Sequence, residues 1–213
     1  MGEQWKAWAK ETFNGSGREF GATPVYEDDR FFVMDWRDKN GSEALAVRYI
    51  LDKGKGDLAI TGDAGCCVAG WIGPVSVEDA AECLNDPEGF IEAIQCATNK
   101  YTYDWDDVVE DLEAEKADHL KALCDGGAWA EDLEELEADF RQMEALLTYT
   151  RLGETCMYPE ELVSLIMKYD PDWWDGPFAM LGRRIDGMVY LWAYGFQEGV
   201  RTLRDRKLAG ITE

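Results

Sequence analysis

The chain has 213 residues, 46% of them hydrophobic, which is enough to bury a core in one domain of ordinary size or in two small ones. It carries 44 acidic residues against 21 basic residues, and the net charge of −23 disfavours direct binding to nucleic acid or to an anionic membrane. Nine Trp, nine Tyr and eight Phe argue against a disordered chain, which would combine high charge with few aromatic residues. We therefore expect the charged residues to lie on the surface of a folded protein.

The N-terminal segment MGEQWKAWAKETF has a charged residue at four of its positions, so it lacks the apolar core of a signal peptide. No run approaches the roughly 18 to 20 apolar residues of a membrane helix. We therefore expect a cytoplasmic protein whose six cysteines are reduced and mostly buried. The adjacent pair Cys66 and Cys67 lacks the spacing typical of zinc ligands, so we expect neither a metal nor a cofactor.

The N-terminal half predicts one helix followed by extended strands. The helix is expected in EQWKAWAKETF and ends at the glycine cluster of residues 15–17. Because the connections between the strands are too short for parallel crossovers, the segments form a small antiparallel meander of three to four strands. The predicted strands are FFVMDWRD (31–38), ALAVRYILD (44–52), DLAITGD (57–63) and GCCVAGW (65–71).

Helical signals follow the predicted meander. Ser76 with Asp79 resembles a capping box ahead of VEDAAECL, and Asp86 precedes a first-turn proline ahead of EGFIEAIQCA. These signals predict two short helices that cover one face of the sheet. Later helices are expected in EELVSLIMKY and from about residue 187 to residue 208. The fold class is therefore α+β, with a sheet-containing region over 1–100 and a mainly helical region over 101–213, or one compact domain.

The stretch DWDDVVEDLEAEKADHLKALCDGGAWAEDLEELEADF (104–140) holds fifteen carboxylates against two lysines and contributes −13 of the net charge. Its apolar residues recur at steps of three and four on both sides of a Gly-Gly break, which predicts a helical hairpin over 104–152 with a coiled-coil-like seam. The acids occupy the remaining positions and are expected to point outward. The seam residues are Trp105, Val108, Val109, Leu112, Leu120, Leu123, Trp129, Leu133, Leu136, Phe140, Met143 and Leu147.

The acidic hairpin has two interpretations, a solvated face that serves solubility or a surface that binds a partner. Two helices of about eighteen residues would carry about one charge per 1.8 Å of length, against about one per 1.7 Å of duplex DNA axis. An equal linear charge density does not establish that the hairpin mimics DNA, because the carboxylates are spread around both helices. The scarcity of lysine favours the binding surface, since soluble helices usually intersperse Glu with Lys. The candidate partner-binding acids are Asp104, Asp106, Asp107, Glu110, Asp111, Glu113, Glu115, Asp118, Glu131, Asp132, Glu134, Glu135, Glu137 and Asp139.

Two other stretches are candidates for function. In TGDAGCCVAGW (61–71) a glycine turn follows a strand, so a small cytosolic enzyme that uses Asp63 and Cys66 is one alternative. A thiolate nucleophile needs a base, and the single histidine, His119, is expected on the acidic helix instead. In YDPDWWDGPF (169–178) two adjacent tryptophans cannot both point inward. One of them is therefore either an exposed apolar anchor, for which Trp173 is the candidate, or half covered in a loop that folds over the core. A regulatory module that forms a homodimer through the hairpin seam is the remaining alternative.

The segment VRYILDKGKGDLAITGDAGCCVAGW resembles proteins carried by phages and mobile elements of gut bacteria. Together with the acid-rich hairpin, it makes the chain similar to anti-CRISPR proteins, small phage-encoded inhibitors among which acidic nucleic-acid mimics are common. The resemblance covers residues 44–71 and the charge pattern, and no catalytic motif carries over. It implies a stoichiometric inhibitor that occupies the DNA or RNA channel of a CRISPR effector, or of its RNA–protein complex, in the cytoplasm of a bacterial host.

Overall fold

The computed structural model describes residues 4–42, 44–127, 129–148 and 158–210. The chain divides into two compact units. The sheet unit consists of Met1–Lys100 and Ile185–Glu213, and the helical unit consists of Tyr101–Arg184.

The elements are as follows in chain order. The first part of the chain forms α1 (Gln4–Asn14), β1 (Phe20–Glu27), β2 (Phe31–Asp38), β3 (Val47–Asp52), β4 (Asp57–Gly62), β5 (Cys67–Gly70), α2 (Val77–Cys83), α3 (Pro87–Ala93) and β6 (Ile94–Ala97). The rest forms β7 (Tyr101–Tyr103), α4 (Trp105–Asp125), α5 (Ala130–Thr148), α6 (Glu160–Tyr169), β8 (Arg183–Ile185) and α7 (Gly187–Leu208). Strands β7 and β8 form a small second sheet.

The α+β class is confirmed, but the predicted count of three to four strands is wrong because the main sheet has six, in the order β1 to β6. Strand β1 was missed because Pro24 disfavours a strand interior. It is tolerated here since β1 is an edge strand, and its register with β2 shifts between Pro24 and Tyr26. Strand β6 was missed because IQCA continues the helical pattern of α3, whereas it pairs antiparallel with β5.

Local capping signals determine where α2 and α3 begin, as predicted. The Ser76 hydroxyl oxygen accepts a hydrogen bond from the Asp79 N–H at 3.0 Å. A carboxylate oxygen of Asp86 accepts one from the Glu88 N–H at 3.2 Å. Each cap satisfies a backbone N–H group that has no partner within its own helix.

The core of the sheet unit lies between one face of the sheet and α7. Tyr49 in β3 is fully buried, and its hydroxyl donates to the Trp192 carbonyl oxygen at 3.0 Å. The Trp192 indole N–H in turn donates to the Ala64 carbonyl oxygen at 2.8 Å. Helix α7 therefore belongs to the sheet unit, although the sequence grouped it with the helical region. Periodicity shows that a helix has an apolar face but not which element that face covers.

The helical unit packs α4, α5 and α6 around a core of its own. Because the seam of the predicted hairpin is buried in this core, a homodimer through the seam would have to open it. Two residues expected in the seam, Trp105 and Trp129, lie near helix ends and are 37% and 81% exposed. Residues 149–152 of the predicted hairpin lie outside the described residues. The core consists of Val108, Leu112, Leu136, Phe140, Met143, Leu147, Leu162, Ile166, Phe178 and Leu181.

The contact of α7 with the sheet depends on Gly195. A β-carbon at this position would collide with the Tyr49 hydroxyl oxygen and lie 3.0 Å from Cδ1 of Trp36. We expect Gly195→Ala to lower the free energy of unfolding by about 1–3 kcal/mol, because a packed core has no room for the added methyl group. The measurement is the urea unfolding midpoint, followed by circular dichroism.

Gly15→Ala is the control, since a β-carbon there would meet nothing closer than Nη2 of Arg18, at 3.9 Å. The added methyl group has room at this position, so we expect the midpoint to change little. Equal midpoints for the two variants would contradict the packing argument.

Candidate functional site

The carboxylates predicted as a partner surface divide into two groups in the structure. The first group is exposed and has no ion pair within the part of the chain that the structure describes; we call it the acidic surface. It consists of Asp104, Asp106, Glu110, Asp118, Glu131, Asp132, Glu134 and Glu137. The second group is half-buried or ion-paired and consists of Asp107, Asp111, Glu113, Glu115, Glu135 and Asp139.

Two members of the acidic surface also cap helices. A carboxylate oxygen of Asp104 accepts a hydrogen bond from the Asp106 N–H at 2.8 Å, at the start of α4. Asp132 accepts one from the Trp129 N–H at 2.8 Å, just before α5. Negative charge at a helix N-terminus is stabilised by the helix dipole, so these two carboxylates support the fold while remaining exposed.

Lys168 neutralises the side of α5 that faces α6. Its Nζ lies 2.6 Å from Oε1 of Glu135 and 2.5 Å from Oδ2 of Asp139. The Tyr169 hydroxyl also donates to Oδ2 of Asp139, at 2.7 Å. Burial alone would raise the pKa of Asp139, but the hydrogen bonds from Lys168 and Tyr169 outweigh it and lower that pKa. Glu135 and Asp139 therefore hold α5 to α6.

Arg184 neutralises two carboxylates of α4. Its guanidinium donates to both carboxylate oxygens of Asp111, at 2.8 Å and 2.9 Å, and lies 3.3 Å from Oδ1 of Asp107. The Gly182 N–H also donates to Asp111, at 2.8 Å. Burial alone would raise the pKa of Asp111, but the hydrogen bonds from Arg184 and Gly182 and the charge of Arg184 lower it.

The predicted sheath of carboxylates is therefore not continuous. Of the two lysines within the acidic stretch, Lys116 lies 3.5 Å from Glu113. The sequence interpretation did not include Lys168 and Arg184, because they lie far along the chain from their partners. Of the predicted partner-binding carboxylates, Glu115 and the members of the acidic surface have no ion pair within the described residues.

The glycine turn with Asp63 and Cys66 lies in the sheet unit, whereas the single histidine lies in the helical unit. The Cys66 Sγ is exposed and lies 3.3 Å from the hydroxyl oxygen of Thr98. The sheet unit contains no histidine that could act as its base. Burial raises the pKa of the neighbouring Cys67 to about 12, so that thiol stays protonated at neutral pH.

The expectation of mostly buried cysteines is wrong for the described residues. Cys67 is buried, whereas Cys66, Cys83, Cys96 and Cys124 are exposed; Cys156 lies outside the described residues. Across the described ranges, no group of three His, Cys, Asp or Glu side chains is arranged to hold a metal ion.

The exposed tryptophan of the 169–178 loop is Trp174 rather than Trp173. Trp173 packs against the helical core, with its ring centroid 5.6 Å from that of Tyr158, whereas Trp174 is 63% exposed. The two residues lie in a tight 3₁₀ turn, which points consecutive side chains in different directions. An apolar anchor on this loop therefore fits Trp174 better than Trp173.

His119 is half-buried rather than on the open surface of α4. Its ring centroid lies 5.4 Å from that of Tyr169 and 6.4 Å from that of Phe178. It lines a pocket of about 370 Å³ together with Glu115 and Asp170. No sequence pattern indicated this pocket, because its residues come from α4, from the end of α6 and from the loop after α6.

Comparison of the chain with protein-family models, with curated proteins and with solved structures gave no match. Among the helices that the structure describes, none is both long enough and apolar enough to cross a membrane.

The Arg184 interaction predicts a pH-dependent loss of stability. We expect Arg184→Gln to lower the free energy of unfolding at neutral pH by about 1 kcal/mol, because it leaves Asp111 half-buried without its cation. The lowered pKa of Asp111 means that this stabilisation is complete above the unfolded pKa, about 3.9, and is lost as the pH falls further. Urea midpoints at about pH 7 and about pH 3 measure the difference.

Arg141→Gln is the control, since it removes the same charge from an exposed residue that donates to the Glu137 carbonyl oxygen. A loss of stability by Arg184→Gln that is equally large at both pH values would contradict the assigned role of Asp111.

Proposed function

We propose that the acidic surface binds a basic, nucleic-acid-binding protein and inhibits it stoichiometrically. The favoured partner is a CRISPR effector or its RNA–protein complex, in the cytoplasm of a bacterial host. The observation that carries the proposal is the outer face of α5, where Glu131, Glu134 and Glu137 are exposed and have no ion pair within the described residues.

The spacing of these three carboxylates supports the proposal. They recur every third residue, so they advance by about 4.5 Å along the helix axis at each step. Glu110 and Asp106 on α4 are likewise exposed and four residues apart. Such an arrangement presents several negative charges to one partner at distances comparable with those between DNA phosphates.

The alternative, a surface that serves solubility alone, does not require this arrangement. Like charges three and four residues apart destabilise a helix by a few tenths of a kcal/mol per pair, about as much as Glu–Lys pairs would stabilise it. Lys168 and Arg184 neutralise carboxylates that face other elements, whereas the outer carboxylates have no ion pair in the described part of the chain. This contrast between the paired and the unpaired carboxylates of α4 and α5 favours a surface that binds a partner.

A mechanism follows from the chemistry of the partner. The nucleic-acid channel of a CRISPR effector is lined by Lys and Arg and recognises backbone charge and geometry more than sequence. Carboxylates that enter the channel would pair with those cations and exclude the nucleic acid. Because the interaction is largely electrostatic, the affinity should fall steeply as salt concentration rises. The exposed Trp174 would add apolar contact area.

The test compares two variants that remove the same charge. The first replaces Glu131, Glu134 and Glu137 by Gln, and the second replaces Glu11 by Gln, Asp29 by Asn and Glu92 by Gln, which are exposed in the sheet unit. Binding to an immobilised, purified effector is measured by surface plasmon resonance. We expect the first variant to lose at least about tenfold in affinity and the second about twofold or less, because close charge pairs outweigh long-range attraction.

Equal losses for the two variants would show that only the total charge matters. Failure of the unaltered protein to bind any class of RNA-guided effector would contradict the proposal directly.

A further inference from the structure

The two faces of the six-stranded sheet differ in what covers them. Helix α7 packs over Tyr49 and Trp36 on one face, and α1, α2 and α3 each contact α7, so these helices gather on that side. On the other face, which we call the outer face, the side chains of Tyr26, Arg37 and Arg48 are about half exposed. The outer face is therefore accessible to a partner.

An apolar row crosses the outer face from one edge of the sheet to the other. Residues directly opposite each other on neighbouring antiparallel strands point to the same face. The strand register pairs Tyr26 with Val33 and continues strand by strand to Cys96, so each of the six strands contributes one side chain. The apolar row consists of Tyr26, Val33, Ile50, Ala59, Val68 and Cys96.

Charged residues border the apolar row on both sides, and the two sides differ in sign. One side carries two cations around one carboxylate, and the other carries two carboxylates and one cation. These residues are Arg37, Arg48 and Asp35 on the first side, and Arg30, Asp52 and Asp57 on the second. The first side is therefore net positive and the second net negative.

The three cations and three carboxylates beside the row cancel, although the whole chain carries a charge of −23. Two copies of this chain repel each other through their total charge, so they can associate only through a patch where that repulsion is locally absent. The outer face is such a patch, because it combines a neutral sum with an apolar row and with one side of each sign.

We propose that the outer face binds the same face of a second copy of this chain, with a two-fold axis along the apolar row. This axis stacks the row of one copy on the row of the other and places the net positive side over the net negative side. Such a contact is isologous, so one patch supplies both halves of the interface. Stacked sheets lie about 10 Å apart, a gap that the side chains of the two rows fill.

The size of the outer face is sufficient for a weak dimer. Five steps of about 4.8 Å between strands give the apolar row a length of about 24 Å, and the row with its two borders spans about 13 Å along the strands. With the side chains at the rim, the face covers about 500 Å² per copy, or about 1,000 Å² in total, which is the lower end for a specific interface. We therefore expect a dissociation constant in the micromolar range.

This dimer does not rest on the proposed function, because the outer face belongs to the sheet unit and the acidic surface to the helical unit. It also leaves the seam between α4 and α5 closed. The two proposals predict opposite effects of salt. Salt screens the repulsion between two chains of −23 and should strengthen the dimer, whereas it should weaken the binding of a basic partner to the acidic surface.

Sedimentation velocity of the full-length protein tests the dimer, from low micromolar to submillimolar concentration and across a range of salt. We expect the unaltered protein to dimerise more strongly as salt rises. Ile50→Lys should weaken the dimer by at least about tenfold, because it places a charge in the middle of the apolar row. Ala7→Lys adds the same charge at an exposed position of α1 and should change the dissociation constant by about twofold or less.

Two further variants test the charged borders and decide the matter if circular dichroism shows that Ile50→Lys does not fold. Arg37→Glu makes both borders net negative, and Asp57→Lys makes both net positive. We expect each variant alone to dimerise at least about fivefold more weakly, and an equimolar mixture of the two to recover the dimer, because opposite borders then face each other. Asp57→Lys lowers the net charge to −21, so a dimer governed by total charge would instead become stronger.

A monomer at every concentration and salt would overturn the proposal, as would equal dissociation constants for Ile50→Lys and Ala7→Lys. An association that weakens as salt rises would place the acidic surface of one copy against cations of the other, and would also overturn it. Failure of the mixture to recover the dimer would exclude the two-fold axis along the row.

Discussion

Repulsion between carboxylates is the constraint on which the helical unit depends. Helices α4 and α5 can pack against their neighbours because Lys168 bridges Glu135 and Asp139, and because Arg184 pairs with Asp111. With these cations beside them, the carboxylates form ion pairs between neighbouring elements. Without a cation, a negative charge at these positions would oppose packing. The apolar core of the unit lies between the same helices.

The acidic residues of the helical unit differ in role according to whether a cation of the chain lies beside them. Those that meet a cation of the chain hold the fold, while Glu131, Glu134 and Glu137 remain exposed and uncompensated among the described residues. Asp170 and Glu115 form a third class, because both are half-buried, line the same pocket and have no ion pair within the described residues. A protein with one purpose for its charge, solubility, would not need three such environments. The proposed partner surface follows from the exposed carboxylates of this division.

Sequence reasoning was reliable where the determinants are local. Apolar periodicity and the caps at Ser76 and Asp86 located all seven described helices, α1 to α7, because these signals act within a few residues. It failed where the determinants are distant. Strand β6 depends on pairing with β5, which overrides a helical pattern, and Lys168 and Arg184 reach partners that only the fold brings near. The pocket around Asp170 had no sequence signal for the same reason.

The most direct measurement of the central claim is a gel-shift competition. A purified RNA-guided effector is mixed with labelled target DNA, the protein is added at rising concentration, and the series is repeated across a range of salt. If the acidic surface occupies the nucleic-acid channel, the shifted band disappears with about one protein per effector and returns as salt weakens the inhibitor. A shifted band that persists at every protein concentration, with every effector class tried, would contradict the account.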